Sequence, residues 1–324
     1  MRHPGRVLCA LVAALVLAAP HVTPIGATAA ASPRAVIQAD FPDPDVIRVG
    51  SAYYAYSTSS GAGRVPVASA PSPTGPWTMR GDAFPDKPSW ADDCLAKDDC
   101  GWWAPDVSRR ADGRYLMYFT APNAKAGRRC VGAAVASSPL GPFRPLGDGF
   151  LACDPGEGGA IDPASFVDAD GKRYLLYKND GNAVKKPTIL WLQQVRADGV
   201  TLVGARRELL RNDPATGEGR VIEAPTLVRR PTGYVLFYSG GDYATDRYFT
   251  GYATSPTLTG PYARSARPLM TTESLGGAVR GPGGADVLGD RVFFHGWVNR
   301  VRWMYTANLD WPGGHPVVRA GRAR

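Results

Sequence analysis

One pattern recurs five times along the chain. Each copy has a short apolar run, a turn rich in Gly or Asp, and a second run rich in aromatic residues. The first runs begin at five residues spaced by 61, 59, 61 and 60 positions: Val46, Val107, Phe166, Leu227 and Val287. Such runs between Gly, Pro and Asp favour β-strands. A repeat of this length with two or more hairpins per copy is typical of a propeller blade, so the sequence predicts an all-β, five-bladed β-propeller.

A second motif supports the same register. In three copies a Gly-Pro pair and an aromatic residue follow a strand of small residues, in "ASAPSPTGPW", "VASSPLGPF" and "YATSPTLTGPY". A β-sandwich would explain the strands and turns but not a fivefold repeat. We therefore expect residues 32–324 to form a single propeller domain.

The segment 1–31 resembles an export signal. Arg2 and Arg6 precede the apolar run 7–19, and small residues follow in "ATAAAS". A basic start, a short apolar core and an Ala-x-Ala exit describe a secretory signal peptide, and the apolar run is too short for a stable membrane span. An uncleaved anchor is the alternative. We expect residues 1–31 to be removed and the protein to be extracellular, with no membrane partner.

The basic charge of the chain does not point to nucleic acid. The formal net charge is +8, and without the two arginines of the leader it is 35 − 29 = +6. Basic clusters mark nucleic-acid-binding segments, but these arginines are scattered, and neither a basic helix nor a base-stacking motif accompanies them. We expect a solvated surface and no nucleic-acid partner.

The cysteines predict disulfides. Cys9 lies in the leader, which leaves Cys94, Cys100, Cys130 and Cys153. An even number in an exported chain favours disulfides over zinc. Four cysteines permit three pairings, of which Cys94–Cys100 with Cys130–Cys153 is favoured because each bond closes the shorter loop. Zinc would need histidines at useful spacing, and a redox role would need a Cys-x-x-Cys pair.

Acidic residues recur where the inner strand of each copy is expected to begin. In a propeller this strand lines the central channel, so the residue before it lies at the channel mouth. Counting back from the five strand starts gives one ring: Asp43, Trp103 with Ala104, Asp162, Glu223, and Gly283 with Gly284. An Asp before Pro often caps a turn, but a turn alone would not need Glu223 where other copies have Asp. We infer that three carboxylates share one site, at equivalent positions of three copies.

Three carboxylates around one pocket suit acid–base hydrolysis. Like charges close together raise the pKa of at least one of them, which keeps one acid protonated near neutral pH while another is ionised. Hydrolysis of a glycosidic bond needs such a pair. Trp103 offers an apolar plane for a sugar ring, and the glycines leave room for substrate.

These motifs resemble those of glycoside hydrolase family 43. "FPDPDVIRVGSAYYAYST", "WAPDV", "GGAIDPASFVDADGKRYLLYK", "EAPTLV" and "GPGGADV" follow in the family's order. The resemblance implies a five-bladed propeller enzyme acting on arabinan, arabinoxylan or xylo-oligosaccharides. It also implies that Asp43 is the general base, that Glu223 is the general acid, and that Asp162 orients the acid and tunes its pKa. The family inverts the anomeric configuration, so Asp43 would activate water and form no covalent bond.

The last copy departs from the family pattern. Many members read "GPGHN", in which the histidine serves a metal site on the axis, often calcium, whereas this chain reads "GPGGAD" with Gly284 in that place. His295, in "FFHGW", is the only plausible substitute, although a lone histidine on a strand is more often a core residue or a substrate contact. We expect no required cofactor, and a structural cation such as calcium in the channel is left open.

The candidate substrate-binding residues are Trp103, Phe41, Arg280 and His295. A surface role for Arg280 and plain packing for Phe41 are the alternatives. The sequence as a whole predicts a secreted, monomeric, inverting hydrolase that cleaves arabinofuranosyl linkages in plant cell-wall arabinan or arabinoxylan. A β-xylosidase of the same family and a non-catalytic sugar-binding propeller are the other interpretations, the latter disfavoured because it would not need all three carboxylates.

Overall fold

The fold is a ring of five antiparallel sheets, or blades, that follow one another in chain order around a central axis. The computed structural model describes Met1 and residues 33–319. Apart from Met1, the predicted signal peptide lies outside the described residues. The five-bladed β-propeller predicted from the repeat is confirmed.

The strands of each blade run in sequence order from the axis outward, except at the chain ends. The first strand, which belongs to blade 5, is β1 (Arg34–Ile37). Blade 1 contains β2 (Asp45–Val49), β3 (Ala52–Tyr56), β4 (Pro66–Ala70) and β5 (Thr78–Asp82). A small hairpin follows, made of β6 (Cys94–Ala96) and β7 (Asp99–Cys100). Blade 2 contains β8 (Trp103–Arg109), β9 (Tyr115–Asn123), β10 (Arg128–Ala136) and β11 (Arg144–Pro145).

The remaining blades repeat this plan. Blade 3 contains β12 (Ala160–Val167), β13 (Arg173–Asn179), β14 (Ile189–Val195) and β15 (Leu202–Arg211). Blade 4 contains β16 (Ile222–Arg230), β17 (Gly233–Gly240), β18 (Phe249–Ser255) and β19 (Ala263–Arg264). Blade 5 contains β20 (Arg280–Leu288), β21 (Arg291–Val298), β22 (Val301–Asp310) and β23 (Val317–Arg319), with β1.

The helices among the described residues are four short 3₁₀ turns: Pro155–Glu157, Gly181–Val184, Pro214–Thr216 and Pro312–Gly314. In this part of the chain no helix has the length and apolar character needed to cross a membrane.

The core consists of five apolar clusters, one between each pair of neighbouring blades. Successive side chains of a strand point to opposite faces, so a blade covered on both faces needs a continuous apolar run. β21 shows this, because Phe293 packs toward blade 1 and Phe294 toward blade 4, both fully buried. The apolar second strand of each repeat therefore holds two neighbouring blades together.

The ring is closed by the start of the chain. β1 pairs antiparallel with β22, with Arg34 opposite Thr306. The Phe41 N–H then donates to the Arg302 carbonyl at 2.8 Å. Blade 5 thus contains both ends of the described segment 33–319.

Both favoured disulfides are confirmed. Cys94–Cys100 joins β6 to β7. Cys130–Cys153 joins β10 to the segment that enters blade 3.

Candidate active site

The mouth of the channel is formed by one backbone feature that occurs five times. Near the start of each inner strand, one residue has a φ of 43° to 58°, in the left-handed region: Asp43, Ala104, Asp162, Ala224 and Gly284. In the four blades where the pairing continues past this residue, the ladder shifts register there, which is the signature of a bulge. We call these five residues the mouth ring.

Glu223 does not belong to the mouth ring, because it lies one residue before Ala224. Its equivalents are Trp103, Ile161 and Gly283, each of which also precedes the residue with positive φ. The prediction that the three carboxylates occupy equivalent positions is therefore wrong for Glu223. Its longer side chain starts from a different backbone position, yet it lines the same pocket as Asp43 and Asp162.

A polar residue on the second strand of each blade, or just after that strand in the case of Thr58, lies beside the start of the inner strand of the following blade. Four of these polar side chains accept the backbone N–H of the mouth-ring residue of that blade, at 2.9 to 3.1 Å. The acceptors are Thr58, Thr120, Ser239 and His295. The bonds link neighbouring blades around the axis and satisfy amides that the bulge removes from the ladder.

Lys178 occupies the fifth such position and breaks the pattern, because an ammonium group cannot accept a hydrogen bond. Asp162 instead accepts the Ala224 N–H at 3.0 Å. The buried Lys178 ammonium lies 3.1 Å from Glu223 Oε2 and 3.4 Å from Asp180 Oδ1. Burial alone would lower the pKa of Lys178, but the carboxylates of Glu223 and Asp180 raise it above the usual value, so the ammonium stays charged.

Asp43 is held as a carboxylate. Thr58 Oγ1 donates to its Oδ2 at 2.6 Å, and Arg302 Nη1 lies 3.3 Å from its Oδ1. Burial raises the pKa of Asp43, but the charge of Arg302 and the hydrogen bonds from its neighbours outweigh burial and hold the pKa well below its ordinary range. Asp43 is therefore ionised at neutral pH.

His295 positions Asp43 and is neutral. It is fully buried, and its Nδ1 accepts the Asp43 backbone N–H at 3.1 Å. Burial and the neighbouring Arg302 lower the pKa of His295. The prediction that His295 contacts substrate is not supported, since the ring stacks on Tyr248 and does not line the pocket.

Asp162 and Glu223 form the second acidic group of the pocket. Tyr248, whose ring is buried, donates its hydroxyl to Glu223 Oε1 at 2.8 Å. Burial and the charge of Glu223 raise the pKa of Asp162 to about 8. One proton therefore resides in this acidic group at neutral pH, while Asp43 carries none.

The predicted substrate-binding residues divide into two groups. Trp103 lines the pocket, with the Arg129 guanidinium 3.5 Å from its ring centroid. Phe41 does not, because it is fully buried in the cluster between blades 5 and 1. Arg280 is exposed at the start of β20 and lies outside the pocket lining. The packing alternative for Phe41 and the surface alternative for Arg280 are the correct ones.

Several pocket residues were not identified from the sequence. Arg302, Lys178 and Tyr248 touch the carboxylates directly, and Tyr243 lies beside Arg302, 5.5 Å from guanidinium carbon to ring centroid. The second-strand position could have been read from the repeat, because the runs end in "YST", "YFT", "LYK", "FYS" and "FFH". Lys178 stands where the other four copies have Thr, Ser or His, and this difference was the signal in the sequence that could have marked it as a pocket residue.

The residues on the axis do not include the histidine of the metal site that the family resemblance implies, because Gly284 stands in its place. A Cβ at Gly284 would come within 2.7 Å of His295 Nδ1 and 3.1 Å of Asp43 Oδ1, so no side chain fits at that position while His295 is in place. His295 Nε2 is buried without a hydrogen-bond partner, but one nitrogen does not make a site. Among the described residues no group of three His, Cys, Asp or Glu side chains is arranged to hold a metal ion.

A second ring of aspartates, the channel ring, lies two residues further along the inner strands. Asp45, Asp106 and Asp286 each accept a backbone N–H from the following blade at 2.8 to 2.9 Å. Burial raises the pKa of Asp106 to about 6 and that of Asp286 to about 7. Burial, together with the charges of Asp106 and Asp286, raises the pKa of Asp45 well above its usual value.

Comparison with known proteins agrees with this geometry. The model of the glycosyl hydrolases family 43 matches residues 32–295. The chain belongs to this family. The fold is that of a thermostable family-43 glycoside hydrolase of known structure, with a TM-score of 0.75 at 23% identity over 88% of this chain and 95% of that one.

Relatives of this family-43 chain include enzymes that act on arabinan. It is 24% identical over 295 residues to the extracellular endo-alpha-(1->5)-L-arabinanase 1 of Bacillus subtilis (strain 168), which covers 85% of this chain and 86% of that protein. It is 25% identical over 237 residues to the extracellular exo-alpha-(1->5)-L-arabinofuranosidase ArbA of Cellvibrio japonicus (strain Ueda107), over 69% of this chain and 67% of that protein. The chain is accordingly a glycoside hydrolase, and these relatives support hydrolysis of arabinan.

Proposed function

We propose that the protein is a secreted, inverting hydrolase of arabinofuranosyl linkages in plant cell-wall arabinan. One observation carries the proposal: a single pocket holds a carboxylate kept ionised, Asp43, and a second acidic group that keeps a proton, Asp162 with Glu223. General acid–base hydrolysis of a glycosidic bond needs both states at once. The arabinan-acting relatives support the sugar specificity.

Asp43 acts as the general base in this proposal. Its Oδ2 accepts from Thr58 and its Oδ1 faces Arg302, so the carboxylate is fixed in orientation as well as in charge. It takes a proton from a water molecule that attacks the anomeric carbon. A strongly lowered pKa makes Asp43 a weak base, so its contribution lies mainly in placing the water and accepting its proton late in the reaction.

Glu223 acts as the general acid, and Asp162 stores the proton that it delivers. Tyr248 and Lys178 hold the two oxygens of Glu223 in place. Asp162 remains protonated near neutral pH because burial and Glu223 raise its pKa to about 8. In the proposed reaction this acidic pair holds one proton, and Glu223 delivers a proton to the leaving oxygen as the bond breaks.

The inverting stereochemistry rests on the positions of the two blades. Asp43 belongs to blade 1 and Glu223 to blade 4, with blade 5 between them. An inverting enzyme leaves room for water, with the two carboxyls about 6.5–9.5 Å apart, whereas a retaining enzyme holds them about 5–5.5 Å apart. Opposite sides of the mouth favour the wider spacing.

A substrate panel tests the activity, and proton NMR tests the stereochemistry. We expect hydrolysis of linear arabinan to exceed that of arabinoxylan and of aryl β-xylosides, and the first-formed product to have the opposite anomeric configuration to the substrate. Preference for the xyloside would establish the β-xylosidase alternative, and binding of arabinan without hydrolysis would establish the sugar-binding propeller. A product of retained configuration would contradict the role given to Asp43.

Secretion is part of the same proposal. The disulfides and the relatives named as extracellular support it. N-terminal sequencing of the protein recovered from culture medium should begin within a few residues of Ala31, just before β1. A chain that retains the segment 1–31 in the cell envelope would contradict it.

A further inference from the structure

A groove leads from the carboxylate pocket across the mouth of blades 3 and 4. Asn182, Glu223 and Tyr243 line the pocket and also the depression beside it. Asn182 and Arg220 continue from that depression into a third one at the rim. The three depressions therefore form one continuous surface that starts at the candidate general acid.

The outer end of this groove is lined by basic residues. Lys185, Lys186, Arg211 and Arg220 contribute to its lining, which contains no Asp or Glu. We call these four residues the basic rim. Lys186 is paired with Glu157 at 3.0 Å, and Arg211 with Glu208 at 2.6 Å.

Two members of the basic rim have no ion-pair partner among the described residues. Lys185 and Arg220 are exposed, and no carboxylate of the described residues lies within 4.0 Å of either side chain's charged group. The outer depression therefore has a net positive charge. The inner pocket combines four acidic residues, Asp43, Asp162, Asp180 and Glu223, with two cations, Lys178 and Arg302. The depression between them is lined by Glu218, Glu223 and Asp242, with Arg220 at its outer end. Acidic side chains outnumber basic ones from the pocket to the middle depression, and only basic ones line the rim.

Hydrogen bonds hold the two loops that carry Lys185 and Arg220. Lys185 ends the turn Gly181–Val184 with φ 59°, and the next residue's N–H closes the loop on the Gly181 carbonyl at 2.8 Å. The Arg220 carbonyl accepts from Thr188 Oγ1 at 3.4 Å. Both cations thus project from anchored loops beside β14 and β16.

We propose that the basic rim binds the carboxylate of a uronosyl residue in the polysaccharide substrate. This inference rests on the proposed function, because it concerns the sugars that flank the bond cleaved there. A neutral arabinofuranosyl unit sits at the inner carboxylates, which repel an anion, and the acidic sugar lies outward at Lys185 and Arg220. The charge gradient of the groove thereby orients an acidic polymer in one direction.

The alternative is a basic surface that only holds solvent. Exposed ion pairs are weak and are screened by salt, so a solvated patch would give no selectivity between acidic and neutral ligands. Continuity with the carboxylate pocket argues for substrate, since a chain lying in the pocket extends along this surface.

The binding test uses the full-length mature protein and a short oligogalacturonate as the probe, measured by isothermal calorimetry at low and high salt. We expect salt-sensitive binding that is about three- to tenfold weaker in the double variant Lys185→Asn/Arg220→Gln, the size expected for two exposed ion pairs. Asparagine is chosen because it tolerates the positive φ at this position. The matched control Arg196→Gln/Arg267→Gln removes two exposed arginines outside the groove and should bind as the wild type does.

Two further arms identify the acidic sugar and separate this inference from the proposed function. A carboxyl-reduced, neutral oligomer of the same length should not bind. In kinetic assays, arabinan attached to a galacturonate-containing backbone and glucuronate-bearing arabinoxylan should be compared with neutral debranched arabinan, and the uronate-bearing polymer with the lower KM is the source. Equal binding of acidic and neutral oligomers, or equal loss in both double variants, would overturn the inference. Because binding does not require hydrolysis, failure to cleave arabinan would overturn the proposed function alone.

Discussion

In blade 1 the mouth ring and the channel ring each contain an aspartate, Asp43 and Asp45, and the environments of these two side chains differ. Asp43, at the mouth, meets Arg302 and a threonine hydroxyl, and its pKa is well below the usual value. Asp45, in the channel, meets a backbone amide and other carboxylates, and its pKa is well above the usual value. Among the described residues no lysine or arginine forms an ion pair with Asp45, Asp106 or Asp286. Charge partners, not residue type or burial, decide which aspartate is ionised.

The comparison also separates two uses of a buried carboxylate. In the channel ring each aspartate joins its blade to the next one through an amide, which a protonated acid does as well as an ionised one. At the mouth the same type of link is made by neutral groups such as Thr58 and His295. Asp162 makes the remaining link, to the Ala224 N–H, so Asp43 and Glu223 are the pocket carboxylates that take no part in these links.

The strongest test of the comparison is a pair of substitutions two residues apart. Asp43→Asn should lower kcat by about 10²- to 10⁴-fold, the usual contribution of a general base, whereas Asp45→Asn should leave kcat close to the wild-type value. Steady-state kinetics on arabinan measure both, and circular dichroism checks that both variants fold. Equal losses in the two variants would remove the distinction between mouth and channel.

Glu223→Gln should give the next largest effect, and its size should depend on the leaving group. We expect a loss of about 10²- to 10³-fold on arabinan, within the range for general acids, and a much smaller loss on an aryl arabinoside whose leaving group needs little protonation. The ratio of the two losses is the measurement. A uniform loss on both substrates would assign Glu223 to binding and not to proton transfer.

Arg302 should set the acid limit of activity. Its charge lowers the pKa of Asp43, so Arg302→Met should raise that pKa and move the acid limb of the kcat/KM profile to higher pH. At any pH below the new pKa, the ionised fraction of Asp43 falls about tenfold for each pH unit by which the pKa rises. Arg280→Met, an exposed arginine outside the pocket, is the control and should leave the profile unchanged. An unshifted acid limb in Arg302→Met would mean that another group keeps Asp43 ionised.

The smallest expected effect is on stability and belongs to the channel ring. Because the folded pKa of Asp286, about 7, lies above that of an unfolded aspartate, the folded protein binds the extra proton between these values. Its contribution to stability is therefore complete at low pH and is lost as the pH rises through about 7. Asp286→Asn should raise the free energy of unfolding at pH 8 by on the order of 1–3 kcal/mol and change it little at pH 4.

Urea unfolding at the two pH values measures this difference. Asp290→Asn, at an exposed aspartate in the following turn, should show no such pH-dependent gain. A less stable Asp286→Asn protein at pH 8 would mean that the channel carboxylate stabilises the ring in its ionised form.

The sequence predicted the ring but misaligned one residue of the site. The even spacing of the five copies was enough to predict the five blades, because every blade must bury both of its faces with the same apolar pattern. The prolines at Pro44, Pro105, Pro163 and Pro225 occupy one position of the repeat, and aligning on them would have placed Glu223 one residue before Asp43 and Asp162. Counting from the apolar runs instead gave an offset, because the run of the third copy begins three residues after its proline, at Phe166, and the runs at Val46 and Leu227 begin two residues after theirs.

The cationic partners were harder to predict. Arg302 follows the last inner hairpin and reaches Asp43 only because blades 1 and 5 become neighbours when the ring closes. No local pattern encodes that contact. Phe41 and Arg280 were assigned to the pocket because they lie close to ring residues in sequence. Phe41 is instead buried in the cluster between blades 5 and 1, and Arg280 is exposed outside the pocket lining.

The closure of blade 5 by β1 has a consequence for how the enzyme is made. The candidate base, Asp43, is synthesised early, but the groups that position and charge it, His295 and Arg302, come from β21 and β22 near the other end of the chain. Contacts between residues so distant in sequence form late in folding. A chain that is still being synthesised on the ribosome, or one that ends before blade 5, therefore contains all three carboxylates but lacks His295 and Arg302, which position Asp43 and keep it ionised. Activity should appear only when the last blade has joined the first, so that the enzyme stays inactive until blade 5 has been made and has folded.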